Sequence, residues 1–337
     1  MEPVQLFELD LSEFDSETEN IEHLIDLTPE VDPWCSCPDW VLSTHHGLAQ
    51  AVDPLLLTDP DRSGYAVLAR YTNDSGDPII TSLEPVWGFA SPIIAPKPAE
   101  FGRQLATYLA SRDDWDYLAL PGLPIPTSQN SFTVEILRSL STLGEARVGE
   151  GITRQVADIS ASSGGLDGWI QRRSPKFRKN LRQLKSAANE NRVTIVNASH
   201  DDFVFDRILG VESQSWKGIE GSGLTSAGMR AMYSLLTIRL EQKRRLEVHI
   251  AQKDGDDIGY ILGGRRGGLY RGLQLSYTAE VKDLSVGHLL QLHQIEQLTQ
   301  DTDIATTRYD LGMDIAYKQR WADSAETTIM IVIERRQ

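Results

Sequence analysis

The sequence predicts an α/β protein made of two similar units, each with a mixed β-sheet. The chain has 337 residues, and at ~100–200 residues per domain this length favours two domains. The order hairpin, helix, apolar strand and turn occurs twice, around residues 65–121 and around residues 246–312. Within this order "DYLALPG" and "RYDLGM" stand at matching places. Repeated order without repeated residues indicates two copies of one α/β unit.

The first half is predicted to comprise an acidic and partly mobile N-terminal segment, residues 1–38, and an N-terminal lobe, residues 39–160. "PDWVLSTHHGLAQAV" has the apolar spacing of a helix, with Asp39 as its cap. "GYAVLARY" and "PIITSLEPVWG" form a hairpin around the turn-rich "TNDSGD". The rest of the lobe is predicted as helix "KPAEFGRQLATYLASR", strand "DYLAL", helix "SFTVEILRSLSTLG" and strand "ARVGEGITRQVADI".

A Ser/Gly linker at about residues 160–168 separates this lobe from a C-terminal domain, residues 168–337. Its first helix, "SPKFRKNLRQLKSAANEN", has Ser174 as N-cap and Pro175 at the first helical position. The elements that follow are strand "RVTIV", two helices around a Gly-rich loop, hairpin "RLEVHIAQK"/"DIGYILGGRR", strand "GGLYRGLQLSY", helix "SVGHLLQLHQIEQLTQ" and strand "TRYDLG".

The composition limits the partners of the chain. Lys and Arg total 33 against 48 Asp and Glu, a formal charge of -15. This charge argues against DNA or an anionic membrane as a partner of the whole surface, so an anionic ligand needs a local basic patch. The sequence shows no secretory signal and no stretch of apolar residues long enough for a membrane span, so we expect a cytoplasmic protein. Cys35 and Cys37 lack further ligands at metal-binding spacing, which predicts reduced thiols and no metal.

The helix that begins near Ser285 is a candidate anion site. It follows a strand, Ser285 is its N-cap, and Gly287 lets a ligand approach the backbone. The first amides of a helix have no partner within the helix and lie at the positive end of its dipole, so a cofactor pyrophosphate would bind there. An ordinary capped helix with a small residue for packing explains the same residues.

Two further stretches concentrate cations or aromatic residues. Residues 172–185 carry seven Lys and Arg, Lys176 and Arg178 among them, opposite an apolar face. They either grip a phosphorylated substrate or form a solvated helix face. In "ESQSWKG", Trp216 and Lys217 precede a Gly-rich loop. They either line a cleft or anchor the end of a helix.

The stretch "YDLGMDIAYKQRW" places chemical groups at the end of a strand. Asp310 lies near the C-terminal end of a predicted central strand, where α/β sheets collect functional groups. Lys318 follows Met313 by five residues, about one and a half helical turns, so its ammonium could point back across the strand end. There it could stabilise an oxyanion. The alternative is a surface helix on which Tyr317 and Trp321 pack while Lys318 and Arg320 stay in water.

These residues resemble a known family. "SPKFRKNLRQLK", "SWKG", "SVGHLL" and "YDLGMDIAYKQRW" are similar, in that order, to the GNAT-type acyltransferase domain of the CelD/BcsL-like (acetyltransferase 6) group, which is related to the Fem aminoacyltransferases. "GFASPII" and "WDYLALPGLP" resemble the N-terminal lobe of that family. The resemblance runs from about Trp40 to Val332.

The resemblance implies tandem GNAT-like (acyl-CoA N-acyltransferase) domains and transfer of an acyl group from acyl-CoA or acetyl-CoA to an amine on a small molecule, sugar or peptide. It implies that a pantetheine arm enters a split between strands 269–277 and 307–311, with its pyrophosphate at helix 286–299. Lys318, in Tyr317-Lys318-Gln319-Arg320-Trp321, inherits the role of stabilising negative charge at the transferred carbonyl. Asp310 would accept the proton of the amine, and Tyr317 and Trp321 would anchor Lys318.

The predicted site therefore has three groups of residues. The catalytic residues are Asp310, Tyr317 and Lys318; the donor-binding residues are Tyr277, Ser285, Val286, Gly287 and His288; the substrate-binding residues are Lys176, Arg178, Trp216, Lys217, Gln274 and Arg320. Two alternatives remain open. One is a Fem-like transferase that uses aminoacyl-tRNA. The other is a non-catalytic scaffold with a degenerate acyltransferase fold, since "KDLSVGHL" keeps only Gly287 of the usual glycine-rich pyrophosphate loop.

Overall fold

Strands and helices alternate along most of the chain in the computed structural model, which describes residues 5–129, 131–301 and 305–336. The strands are β1 (Phe7–Leu9), β2 (Asp53–Thr58), β3 (Tyr65–Thr72), β4 (Pro78–Ser82), β5 (Ile93–Ile94), β6 (Tyr117–Pro124), β7 (Gly144–Val148), β8 (Ile152–Asp158), β9 (Val193–Asn197), β10 (Leu246–Lys253), β11 (Asp256–Arg266), β12 (Leu269–Tyr277), β13 (Arg308–Met313) and β14 (Ser324–Arg335).

The helices pack on these strands and carry most of the connections. They are α1 (Leu11–Ser16), α2 (Thr18–Leu27), α3 (Pro38–Leu48), α4 (Pro98–Ala110), α5 (Phe132–Leu140), α6 (Gly165–Gln171), α7 (Pro175–Glu190), α8 (Val204–Ser213), α9 (Trp216–Ile219), α10 (Ala227–Gln242), α11 (Val286–Gln300) and α12 (Ala316–Gln319). Within the described ranges, none of these helices is long and apolar enough to cross a membrane.

The chain divides into two compact units that repeat one topology. The first unit contains residues 1–152 and 327–337, and the second contains residues 153–326. In the first, β2, β3 and β4 form an antiparallel meander, and after α4 the strand β6 pairs parallel with β4. In the second, β10, β11 and β12 form the same meander, and after α11 the strand β13 pairs parallel with β12. The predicted tandem α/β fold with mixed sheets is confirmed.

The outer neighbour of the parallel strand is also equivalent in the two units. Antiparallel β14 flanks β6 in the first unit, and antiparallel β8 flanks β13 in the second. These pairings move both ends of the predicted C-terminal domain. Residues 153–160, predicted in the first lobe, belong to the second unit, and residues 327–337, predicted in the second, belong to the first. The single predicted strand "ARVGEGITRQVADI" is divided into β7 and β8.

Residues 1–38, predicted as a partly mobile N-terminal segment, form strand β1, helices α1 and α2 and the start of α3 in their described part. Helix α1 begins with a capping box in which Asp10 and Glu13 satisfy each other's backbone amides. Phe14 and Ile21 are buried, so the described part of this segment is packed into the first unit. A second detail also differs: α3 begins at Pro38 with Cys37 as N-cap, whereas Asp39 was the predicted cap. Cys35 and Cys37 are both buried and free.

The core of the second unit brings the C-terminal aromatic residues together. Trp169 of α6, Phe177 of α7, Tyr270 of β12, Tyr309 of β13 and Trp321 are all buried in one cluster. Apolar residues of α11 complete this cluster from one face of the sheet. The core therefore fixes the segment that follows β13, which carries the predicted catalytic residues.

Candidate active site

Strands β12 and β13 separate after a short stretch of parallel pairing. Their paired residues run from Leu269 with Arg308 to Arg271 with Asp310. Just beyond, the ladder between β12 and β11 skips Leu273, and the ladder between β13 and β8 skips Leu311. A bulge adds local twist and ends regular pairing. Both bulges lie within two residues of the last parallel pair, where the two strands stop pairing. This is the split that the resemblance implied.

Asp310 lies at the base of the split and is engaged in ion pairs. Its side chain is buried at 1 % exposure. One carboxylate oxygen contacts the Arg271 guanidinium and lies 3.3 Å from Arg154 Nη1. The other accepts the Gly312 amide at 2.7 Å. Burial alone would raise the pKa of Asp310, but the charges of Arg271 and Arg154 outweigh it and leave that pKa lowered.

This environment argues against the predicted role of Asp310 as a proton acceptor. A general base works best when its pKa lies near the operating pH, and the pKa of Asp310 is shifted the other way. The carboxylate instead joins three parts of the site: strand β12 through Arg271, strand β8 through Arg154, and the turn at Gly312. Asp310 is therefore placed to hold the site together.

Lys318 lies close to the end of β13, although its helix α12 begins only at Ala316 and does not include Met313 as the predicted spacing assumed. A Cβ built on Gly312 would lie 3.3 Å from Lys318 Nζ, so the ammonium occupies the space that this glycine leaves open. Gly312 has a φ of +81°, in the region that L side chains rarely adopt. Burial, followed by the nearby Arg271 charge, lowers the pKa of Lys318 to about 8. In the part of the chain that the structure describes, no carboxylate pairs with this ammonium.

Trp321 anchors the segment that carries Lys318. Its side chain is fully buried, stacks on Trp169 with ring centroids 5.6 Å apart, and meets Phe177 edge-on at 5.1 Å. Trp169 Nε1 donates to the Trp321 carbonyl at 3.0 Å. His288 of α11 stacks on the same indole at 5.7 Å and approaches Tyr317 at 6.5 Å. Tyr317 is 38 % exposed, so it contributes less to the anchor than was predicted.

Lys217 meets the split from the side of β12. Its ammonium lies 3.2 Å from the Leu275 carbonyl and 3.4 Å from Gln274 Oε1. It also pairs at 3.5 Å with Glu212, whose carboxylate is fully buried and accepts the Tyr260 hydroxyl at 3.1 Å. Lys217 and Gln274, both predicted to bind substrate, are thus in contact. Trp216 lies next to them on α9 and is 56 % exposed.

The start of α11 lies beside the end of β12. Ser285 precedes the helix with a left-handed φ of 54° and makes no capping hydrogen bond with its side chain. A Cβ on Gly287 would lie 3.0 Å from Leu275 and 3.1 Å from the ring of Tyr277, so this glycine lets the helix approach the strand. Val286 is buried, whereas Gly287 and His288 are partly exposed. The predicted donor-binding residues therefore share one location.

The remaining predicted cations lie elsewhere in the second unit. Arg178 donates to the Gln171 carbonyl and lines a groove between α7 and α11. Lys176 is exposed on the same helix, and Arg320 is exposed after α12. Arg173, part of the same basic stretch, is buried beneath Trp169 and bonds to Asp323. The basic helix thus combines a structural role at its start with a solvated face.

Arg154, Arg271 and Glu212 are site residues that were not predicted. Two of them had a visible signal: Arg271 is the one charged residue of the strand "LYRGLQLSY", and Glu212 lies on the apolar face of a helix. Buried charges need partners, so such positions point to ion pairs in the core. The partner of each could not be read from one sequence, since Arg154 and Asp310 are far apart along the chain.

The fold and this split define a protein of the GNAT acyltransferase fold class. Residues 172–319 match the family model described as an acetyltransferase (GNAT) domain. No curated protein matches the chain.

Solved structures share the fold over nearly the whole chain. A conserved protein of unknown function from Bacteroides thetaiotaomicron has a TM-score of 0.63 at 8% identity, covering 98% of this chain and 100% of that one. FemX has a TM-score of 0.63 at 10% identity, with 96% of each chain covered. The C-terminal domain of a putative lysylphosphatidylglycerol synthetase from Agrobacterium fabrum has a TM-score of 0.55 at 12% identity, covering 93% and 91%. At these identities the likeness concerns the fold alone.

Proposed function

We propose that the second unit catalyses N-acyl transfer, in which an acyl group passes from an activated ester or thioester to an amine. The observation that carries this proposal is the Lys318 ammonium. It is held at the strand split by Gly312 and Trp321, and among the described residues no carboxylate pairs with it. A fixed cation without a counter-ion stabilises negative charge that appears only during the reaction.

The reaction forms two bonds and breaks two. The amine nitrogen attacks the carbonyl carbon of the donor, and the carbonyl oxygen becomes an oxyanion facing Lys318. Collapse of this intermediate forms the amide and breaks the bond to the sulfur or oxygen of the leaving group. The proton that the amine loses ends on that leaving group. With a pKa of about 8, Lys318 is mostly protonated at pH 7, which suits the role of oxyanion stabiliser.

Asp310 and its two arginines would support this step without touching the substrate. Asp310 accepts the Gly312 amide, and Gly312 provides the space that Lys318 occupies. A displacement of about 1 Å at a reacting group can lower the rate about 100-fold, so such support matters. We therefore assign Asp310 a positioning role and Lys318 the catalytic one.

Two donors are compatible with this site. Acyl-CoA or acetyl-CoA is the donor that the sequence predicts, with its pyrophosphate near Ser285, Val286 and Gly287. The second candidate is aminoacyl-tRNA, the donor of a Fem-like transferase. The observation that favours an ester is that Lys217 already occupies the edge of β12. The acceptor would be an amine on a small molecule, sugar or peptide. A non-catalytic scaffold would not need the Lys318 ammonium to be held in place.

The test is a screen of amines against acetyl-CoA, longer acyl-CoAs and aminoacyl esters, with the amide product detected by mass spectrometry. With an acceptor identified, Lys318→Met should lower kcat roughly 10²–10³-fold while the fold is retained. The matched control is Lys179→Met, on the exposed face of α7. The wild-type rate should also fall above about pH 8, because burial lowers the pKa of Lys318 to about 8 and the charged form is required. A Lys318→Met protein within twofold of wild type would remove this residue from the mechanism.

A further inference from the structure

On the side away from β11, the edge of β12 has no partner strand among the described residues beyond the point where its pairing with β13 stops. Thr278 donates its amide to the Ile258 carbonyl at 2.9 Å, on the β11 side. Backbone groups alternate along a strand, so the amides and carbonyls of Leu275 and Tyr277 point to the opposite side. Strand β13 pairs with β12 only as far as Arg271. The polar groups on this edge beyond Arg271 need other partners.

The residues from Gln214 to Gly218, here called the edge segment, supply such partners. The Gln214 carbonyl accepts the Ala279 amide at 2.9 Å. Ser215 forms an antiparallel bridge with Thr278, and Lys217 Nζ reaches the Leu275 carbonyl at 3.2 Å. The edge segment therefore takes up the pairing of β12 on the side that β13 has left.

Lys217 is held in this position by a buried carboxylate. Glu212 is fully buried, lies 3.5 Å from the ammonium, and accepts the Leu224 amide at 3.2 Å and the Tyr260 hydroxyl at 3.1 Å. The Lys217 side chain is 18 % exposed. A lysine held loosely at the surface would not have such buried partners. The contact of Lys217 with β12 is therefore a defined part of the structure of the second unit.

A pantetheine arm carries two amides in an extended chain, and such a chain binds a strand edge through backbone-like hydrogen bonds. In the split it would need the groups of Leu275 and Tyr277, and Lys217 already occupies the Leu275 carbonyl. We propose that Lys217 determines the class of donor: it keeps a pantetheine arm off the β12 edge and so favours an activated ester without a two-amide arm. This inference deepens the proposed acyl transfer and rests on it.

The test measures coenzyme A binding by calorimetry in the wild type, in Lys217→Ala and in a control, Lys97→Ala, which removes an equally charged but 83 % exposed side chain. Coenzyme A is an anion, so the loss of the Lys217 charge by itself should weaken its binding. Tighter binding would therefore come from access to the edge of β12 that Lys217 occupies. We expect Lys217→Ala to bind coenzyme A about 10–100-fold more tightly than the wild type does. This factor corresponds to the free energy of one hydrogen bond to a charged group. The control should bind as wild type does.

A second variant covers the case that Lys217→Ala, which leaves Glu212 without its cation, fails to fold. Lys217→Met combined with Glu212→Gln removes the ammonium together with the buried carboxylate charge that it pairs with. It should also bind coenzyme A more tightly than wild type, with an unchanged circular dichroism spectrum.

Two results would overturn the proposal. One is tight binding of coenzyme A by the wild type together with equal or weaker binding by both variants. The other is an absence of coenzyme A binding in the wild type and in every variant that folds, because Lys217 would then not be what keeps the arm out. Neither result depends on Lys318, whose role in acyl transfer is tested by the effect of Lys318→Met on kcat.

Discussion

Replacing Asp310 by Asn separates its positioning role from the proton-accepting role that the sequence predicted. The amide keeps the size of the side chain and an oxygen that can accept the Gly312 amide. It removes the charge of the carboxylate that both Arg271 and Arg154 contact, while Arg154 keeps its ion pair with Glu326 at 2.8 Å. The two arginines are 4 % and 8 % exposed. Breaking a buried ion pair by removing one partner costs about 3–5 kcal/mol, since a buried cation is left uncompensated. This is a large part of the ~5–15 kcal/mol that stabilises a typical domain.

We therefore expect Asp310→Asn to lower the free energy of unfolding by about 3 kcal/mol or more. The measurement is denaturant unfolding, supported by native-state hydrogen exchange on peptides from residues 308–322, because two compact units need not unfold together. The matched control is Asp314→Asn, an exposed carboxylate of the same loop that bonds to Gln155 and Gln319. A surface change of this kind should stay within about 0.5 kcal/mol of wild type.

The opposite pattern would refute the positioning role. A general base removed by an isosteric change leaves the fold intact and lowers kcat alone. If Asp310→Asn unfolds within about 1 kcal/mol of wild type while kcat falls by a factor of about 100 or more, Asp310 is the proton acceptor after all. The positioning role instead predicts loss of stability together with faster exchange around Gly312.

Two further predictions concern other buried groups. Glu84, in the first unit, is fully buried, and burial raises its pKa from 4.5 to about 7. Folding therefore favours the neutral form of this carboxyl. Its contribution to the free energy of unfolding is complete below about pH 4.5 and is lost as the pH rises through about 7. Wild type should lose about 3 kcal/mol relative to Glu84→Gln over this window, and parallel stability curves of the two proteins would contradict this. Gly312→Ala should cost about 1–2 kcal/mol through its positive φ and lower kcat about tenfold or more by moving Lys318. The control Gly255→Ala has a φ of +98° and open space around its Cβ, so it introduces backbone strain without displacing a side chain. Equal kcat values in the two variants would show that Gly312→Ala does not displace Lys318.

The sequence was sufficient for the parts of the fold and site that depend on local order. The hairpin, helix and following strand could be predicted twice because each step has its own turn and period. Strand β2, the first strand of the meander in the first unit, was not predicted. The position of Lys318 could be predicted because a short helix after the β13 turn carries it back to the strand end. Both inferences use residues that lie close together in the chain.

Pairings between distant segments could not be predicted in the same way. Strand β8 pairs with β13 and brings Arg154 to Asp310, although these residues are far apart in sequence. Strand β14 pairs with β6, which places the C-terminal residues in the first unit. The bulges at Leu273 and Leu311 follow from register, which one sequence does not specify. For this reason the ion pairs of Asp310 could not be predicted, and its role as a proton acceptor stays a prediction that Asp310→Asn tests.

The charges of the split explain why the second unit is suited to a reaction that develops negative charge. Asp310 pairs with Arg271 and Arg154, Glu326 also pairs with Arg154, and Glu212 pairs with Lys217. Lys318 is left with a charge that no carboxylate among the described residues pairs with, and its pKa of about 8 records the cost of burying that charge. A substrate carbonyl is neutral and recovers little of this cost, whereas the oxyanion recovers much more. An interaction that is stronger in the transition state than in the ground state is what accelerates a reaction. The Lys318 ammonium, which has no ion pair among the described residues, therefore supports the proposed acyl transfer at this split.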